Sequence, residues 1–402
     1  MKRFMKVSML IILLAVISTP AFAGSENLQM DQDEKISLST KVPISLYGFV
    51  SAEGMFGDSQ LSSFGALNNT PASYNRIMSG FNRVVDESVD GNNDAFISGT
   101  VQNTRFGFNL APYDFGGKNF TVDARLEMDF FSTNNLSIHS VLPRIRRAYA
   151  GIGQERWHIL FGQEWDLFSP LNTATLNIGG NLWQQGNLGF RRPQIRFSYN
   201  HPVWEDSKVE ADASINLPGN SMAFNDNGNT TGIPMFQGRV GFIHPIWAGP
   251  FKVYLSALYA RHKNAVAGQA TVNNWGLALS VDAPIHKYFK PSLELHYGYS
   301  LGSTLSLASD TNRQRTISGW GQIKSLWLGW LESNIGYGLD TLKGSQVAAG
   351  WVKRNQMGFA NIRFKPISSF TIGLEYNFLR TNYQGSGSSN ANTGLLNVIY
   401  FF

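Results

Sequence analysis

Four arginines and a glutamine stand at alternate positions in two short stretches of the chain: Arg144 and Arg146 in one, Arg192, Gln194 and Arg196 in the other. A spacing of two places side chains on one face of a β-strand. Guanidinium stays charged at any working pH, and its fork of donors fits carboxylate and phosphate oxygens. Fixed positive charges lining a passage favour anions inside it. Arg105 and Arg125 fall on the same side of two earlier strands and extend the set. The competing reading pairs these arginines with wall acids, for which Asp123, Glu127 and Asp129 are at hand. Arg147 and Arg191 have the opposite parity and are expected at a rim. Glu164 and Asp166 open a long segment, the third long loop, that ends at Arg191 and, with Gly179, Gly180, Gly186 and Gly189, is expected to be flexible enough to fold back into a lumen. They can face the arginines across a passage or tie the segment to its wall. Trp183, followed by Gln184 and Gln185, can line the narrowest point, but an anchoring role is favoured.

Other chemistry finds little support. With no cysteine, disulfides and thiol catalysis are excluded. The seven histidines show no metal-ligand spacing, and Ser, His and Asp are scattered without a nucleophile elbow. Asp86, Glu87, Asp90 and Asp94 cluster, yet they match no calcium-loop template, and a solvated acidic face is expected. Catalytic residues, metal and cofactor are therefore each expected to be none.

The elements that carry the arginines repeat. Pro112, Pro202, Pro245, Pro284 and Pro366 sit in short turns separated by 90, 43, 39 and 82 residues. The two long gaps read as double periods, with proline-free turns near Gly153–Glu155 and Leu326–Trp330. A period of about 42 residues holds two strands of about ten residues, a short turn and a long loop. Phe120–Phe131 shows the alternation most clearly: Phe120, Val122, Ala124, Leu126, Met128 and Phe130 oppose Thr121, Asp123, Arg125, Glu127 and Asp129. Seven short turns with both chain ends on the turn side give sixteen strands. Trp204, Trp247, Tyr113, Tyr288, Trp327 and Trp330 cluster at those turns, as an interfacial aromatic girdle would. The longer connections are polar and rich in Gly, Asn and Ser; the last is expected over Gln384–Asn392.

Alternation alone does not separate a soluble sandwich from a membrane barrel; the chain ends do. Residues 1–23 carry Lys2, Arg3 and Lys6, an apolar run from Val7 to Val16, and Ala21-Phe22-Ala23, the layout of a cleaved secretory signal. Residues 24–42 form a short periplasmic segment, and 43–402 the barrel. Leu396, Val398, Tyr400 and Phe402 lie on one face of a last strand ending in Phe, which resembles the assembly signal of bacterial outer-membrane proteins. Charged residues make up only 15% of the chain, against about 25% in soluble domains. Removing the signal lowers the formal charge from +5 to +2, so nucleic-acid binding gains no support. The fold class is all-β: a transmembrane antiparallel β-barrel of sixteen strands with its third loop folded into the lumen.

Three stretches carry a family likeness: Arg144-Ile145-Arg146-Arg147-Ala148-Tyr149-Ala150-Gly151, then Phe161-Gly162-Gln163-Glu164-Trp165-Asp166-Leu167-Phe168, then Arg191-Arg192-Pro193-Gln194-Ile195-Arg196. They resemble the DcaP-like porins over Arg144–Asn200, and the rest of the chain matches only as barrel pattern. The resemblance implies a homotrimeric sixteen-stranded outer-membrane channel of a Gram-negative bacterium, with loop three inside, favouring small anions such as dicarboxylates. Some family members carry a helical periplasmic extension; about twenty polar residues at 24–42 are too few for one. A phosphate-selective or non-selective porin is the alternative, and an outer-membrane lipase or protease a further one. The partners implied are small hydrophilic solutes, outer-membrane lipid and the barrel-assembly machinery, the last through Tyr400 and Phe402. Small outward residues on the first strand, Gly48, Val50 and Ala52, suit a subunit interface.

This topology is open to test by cysteine scanning with an impermeant reagent on intact cells. Gly232→Cys in a long loop should label from outside and Pro245→Cys in a short turn should not; labelling at Pro245 overturns the assignment.

Overall fold

The computed structural model describes residues 44–63, 81–86, 95–114, 120–131, 142–178, 180–204, 206–219, 228–263, 271–344 and 347–402. The expected signal and periplasmic segment lie outside these, as do Glu87, Asp90 and Asp94. Among the described residues, sixteen antiparallel strands close a single barrel. They are β1 Ile44–Gly57, β2 (Phe96–Thr100 with Arg105–Asp114), β3 Thr121–Asp129, β4 Arg144–Gly153, β5 Trp157–Trp165 and β6 Arg191–Trp204. Next come β7 Ser207–Asn216, β8 Met235–Ile246, β9 Gly249–His262, β10 Val272–Asp282 and β11 Lys290–Tyr299. Then follow β12 Arg315–Leu328, β13 Leu331–Lys343, β14 Val352–Ile367, β15 Phe370–Tyr383 and β16 Gly387–Phe401. The seven connections at the proline beat are all short, including both proline-free turns, but only Pro284 lies between strands; Pro112, Pro202, Pro245 and Pro366, expected in the turns, stand in the closing residues of strands.

The polarity is inverted relative to a soluble sandwich. Leu255, Leu277, Leu295, Ile317, Ile335 and Ile362 are exposed, whereas Ser256, Ser280, Glu294, Gln322, Asn361 and Glu375 are buried. In water such an apolar wall is unfavourable; in hydrocarbon it is the required outer surface. A bilayer offers the backbone no hydrogen bonds, so a spanning sheet has to close on itself. Closure comes from β1 pairing with β16, from Phe49↔Phe401 to Gly57↔Thr393. The other edge of β1 meets both halves of β2, whose break spans 101–104 and lets Thr104 Oγ1 accept the Ser51 N–H at 3.1 Å. Trp204, Trp247, Tyr288, Trp327 and Trp330 are exposed at the short-turn end, as the girdle reading expected.

Three further expectations change. The last connection is only residues 384–386, because Gly387 already pairs with Tyr383; the polar run 387–392 belongs to β16. Ser389 and Ala391 of that run, and Thr393 after it, are buried, on the inward face. Gly48 is not an open contact point for a neighbour. Its N–H donates to the Phe402 carbonyl at 3.0 Å, and Phe402 N–H donates back to Gly48 at 3.1 Å. A Cβ on Gly48 would collide with the Arg105 carbonyl of β2 and would lie 2.8 Å from the Phe402 ring. The glycine serves the chain's own terminus, leaving Val50 and Ala52 as the exposed members of that row. Finally, the third connection is a set of tight turns and not a slack tether: Asn181 N–H bonds Asn177 O, and Trp183 N–H bonds Gly180 O.

The apolar core follows from the same inversion. Inward Met55, Met357, Leu379 and Leu395 pack with Leu61 and Val84 of a small ribbon after β1 (Leu61–Ser63 with Phe81–Val84), and with Ala174 and Leu182 of the third connection. Val84 N–H donates to Thr381 Oγ1 at 2.9 Å, fastening the ribbon to β15.

The seal predicts a specific double-mutant result. Gly48→Val should destabilise the barrel by about 1–3 kcal/mol through overpacking. The compact form should therefore be lost at a lower temperature on unboiled gels. Phe402→Ala in the same chain should recover little of the loss, because the Arg105 carbonyl still meets the added side chain; full recovery would show that the ring alone closes the space above Gly48.

Candidate functional site

The arginines gather on the inner face of neighbouring strands. Arg144 grips Asp129 with two donors, Nε at 2.9 Å and Nη2 at 2.7 Å. Arg146 bridges Glu127 at 2.8 Å and Asp129 at 2.9 Å. Arg105 stands 4.0 Å from Glu127 and over the Phe49 ring. Arg125 donates to Asn109 Oδ1 at 3.2 Å and lies over Tyr47. These four share a face, as their spacing predicts.

Arg147 departs from its expected place at a rim. Between Glu127 and Met128 the β3–β4 register shifts, so Arg147 pairs with Glu127 while Ile145 pairs with Met128. The bulge leaves Arg146 extra and turns both it and Arg147 inward. Arg147 Nε then donates to Glu164 Oε2 at 2.8 Å. Arg191 is not at an exposed rim either. It is buried, and its guanidinium lies 4.8 Å from the Trp165 ring centre and 5.0 Å from that of Phe190.

Glu164 and Asp166 tie the third connection to the wall. Asp166 receives Arg192 Nε at 2.7 Å and Nη2 at 2.9 Å, with Arg192 only 3% exposed. Gln237 on β8, which the spacing argument passed over, completes this clamp. Its Nε2 donates to Asp166 at 2.8 Å, and its Oε1 accepts the N–H groups of Leu167 and Phe168 at 2.8 and 3.1 Å. Gln194 Nε2 donates to the Glu164 carbonyl at 2.8 Å. Trp183 is buried against Trp165 and Phe190, an anchor's position.

Further along, the connection is held by buried acids of the opposite strands. Glu294 accepts the Leu171 N–H at 2.9 Å and the Ser280 hydroxyl at 2.8 Å, and also binds Ser169. Glu375 accepts the Thr175 hydroxyl at 2.7 Å and the Leu176 N–H at 2.6 Å. Gln322 accepts the Ala174 N–H at 2.6 Å. Gly186 sits against the Gly319 carbonyl, where a Cβ would collide, so that crossing requires glycine.

A cavity of about 220 Å³ remains beside residues 169–172, with Arg147, Arg196 and Arg239 among its lining. Among the described residues Arg196 has no carboxylate within ion-pair distance: its Nε donates to Gln194 Oε1 at 3.1 Å and its Nη2 to the Trp165 carbonyl. Arg239, the residue two after Gln237, pairs with Asp212 at 2.7 Å. Its alternate position on β8 could have placed it on the inner face from sequence. Among the described residues, no group of three or more His, Asp or Glu is arranged to hold a metal ion.

Asp166→Ala would leave the Arg192 guanidinium buried and unpaired, a loss of about 3–5 kcal/mol. Denaturant unfolding should shift accordingly, and cleavage within residues 166–190 by added protease should speed up. An unchanged unfolding midpoint would show that the clamp does not hold the segment.

No protein-family model and no curated protein matches the chain. Solved structures do. The outer membrane channel DcaP of Acinetobacter baumannii has a TM-score of 0.71 at 19% identity, over 91% of this chain and 99% of that one. An anion-selective porin from Comamonas acidovorans has a TM-score of 0.58 at 12% identity, over 90% and 100%. Salmonella typhi OmpF has a TM-score of 0.57 at 11% identity, over 90% and 98%. With its closed sixteen-strand sheet and lipid-ready outer wall, this protein has the outer-membrane porin fold that DcaP displays.

Proposed function

We propose that the protein is a passive outer-membrane channel for small hydrophilic anions, dicarboxylates among them, in which the third loop narrows the lumen. The observation that carries this is Arg196: a lumen-side guanidinium with no carboxylate within ion-pair distance among the described residues, in a cavity where three arginines, with Arg147 and Arg239, face two carboxylates, Glu164 and Asp166. The inner face of β2–β8 also carries more arginine than carboxylate. Arg105, Arg125, Arg191 and Arg196 are left over after Glu127, Asp129, Glu164, Asp166 and Asp212 are engaged by Arg146, Arg144, Arg147, Arg192 and Arg239, while Asp123 meets His158 and Glu210 meets Lys208. The acids of the far wall, Glu294 and Glu375, are spent on the loop's N–H and hydroxyl groups. The lumen is thus positive on one side, with its opposing carboxylates covered. Two further expectations accompany the resemblance: a homotrimer, and delivery to the assembly machinery by the strand that ends in Tyr400 and Phe402. A channel, unlike a lipase or protease, should show no hydrolysis of lipid or peptide.

Inward neighbours on one strand lie about 7 Å apart, within the Debye length of about 8 Å at physiological salt. Their fields overlap, so the test belongs at low salt. In planar bilayers the native channel should show an anion-selective reversal potential. Arg196→Ala should move it toward cations. Arg146→Ala added to it should move it further, because Glu127 and Asp129 lose a shared counter-ion. Native selectivity in the double variant would show these arginines to be wall braces only.

A further inference from the structure

Lys290 and Lys324 are direct register partners across β11 and β12. Their Cβ atoms are therefore about 4.5–5.5 Å apart on one face, and like charges so placed destabilise a sheet. The face is the inner one: Lys290 alternates with buried Ser292 and Glu294, and Lys324 with buried Gln322 and Trp320. Neither lysine has a carboxylate within ion-pair distance among the described residues. The nearby acids, Asp282 and Glu332, act on Lys324 only from beyond ion-pair distance, and each has a closer partner. Glu332 takes Lys365 at 2.9 Å and Arg363 at 3.5 Å, and Asp282 Oδ1 accepts the Ser292 hydroxyl at 2.7 Å.

The pair lies below the third loop. Glu294, which holds Leu171, is four residues from Lys290, about 13 Å along the strand toward the short-turn mouth. Arg363, on the same inner face, donates to the loop's Ala174 carbonyl. A solute leaving the arginine wall toward the short turns meets this second positive group.

We propose that Lys290 and Lys324 form a second anion station under the third loop, taking a doubly charged oxyanion such as hydrogen phosphate or a dicarboxylate between two ammonium groups. Two facing ammoniums match two negative charges on one small ion, and the bound ion removes the repulsion that the empty pair carries. The proposal rests on the anion-channel reading but concerns a different depth of the pore.

The test uses the full-length protein in planar bilayers carrying chloride current, with inorganic phosphate or succinate added to one side at a time. The native channel should be blocked saturably, and at lower concentration from the short-turn side. Lys290→Gln with Lys324→Gln should weaken that block on the order of tenfold, as the loss of one charge-assisted contact would. Lys290→Arg with Lys324→Arg should retain it, and Arg196→Ala should retain the side preference. Removing facing like charges should leave unboiled gel mobility unchanged; the single Gln variants serve the same test if the double fails to assemble. Native block in the Gln variants, or no block of the native channel, overturns the station. A cation-selective native reversal potential overturns the anion-channel reading instead. Block by phosphate without succinate, or the reverse, assigns the oxyanion.

Discussion

Everything in this structure depends on backbone hydrogen bonding in a medium that supplies none. An unpaired N–H or C=O in hydrocarbon costs several kcal/mol, so a spanning sheet with an edge is not viable. The chain meets that demand where its two ends join. The first and last strands pair over nine residues, and the reciprocal bonds between Gly48 and Phe402 continue the ladder to the last residue. Once the sheet is closed, side-chain alternation has only two destinations, lipid and lumen. The same period that would build a core in water here builds an apolar outer wall around a polar interior.

That polar interior makes the third loop possible. The third loop's backbone groups meet acceptors on the strands at intervals: Gln237, Glu294, Gln322 and Glu375 each receive loop N–H groups. Buried carboxylates without cations are usually unfavourable, but each of these two receives several donors at once, which offsets the desolvation. The arrangement divides the charges by wall. Acids on β11 and β15 hold the loop, and arginines on β2–β8 outnumber their partners on the other side.

Much of this was legible from residue order. The proline beat gave seven turns and hence sixteen strands, because a short turn between antiparallel strands has to recur at a constant spacing when strand lengths match the bilayer. Parity placed Arg105, Arg125, Arg144, Arg146, Arg192, Gln194 and Arg196 on one face. It failed at Arg147 because a bulge adds one residue without changing composition, and nothing in Arg-Ile-Arg-Arg announces which arginine is extra. It failed at Gly48 because the group that fills the space above it comes from the far end of the chain. The polar run 387–392 read as loop because its strand is buried on the inner face, where Ser, Ala and Thr are the suitable residues.

Sequence by itself determined the period, the faces and the strand count, since these depend on the covalent step between neighbouring residues and on the thickness of a bilayer. It also limited the chemistry, by lacking cysteine and any catalytic spacing. Tertiary structure decided which charges remain uncompensated. Arg192 and Arg196 sit four residues apart on one strand face, yet one is clamped by Asp166 and the other meets only an amide and a carbonyl. Whether a guanidinium braces a wall or attracts an ion depends on partners brought from strands and loops distant in sequence. That pairing exists only after the barrel has closed and the loop has been tied down.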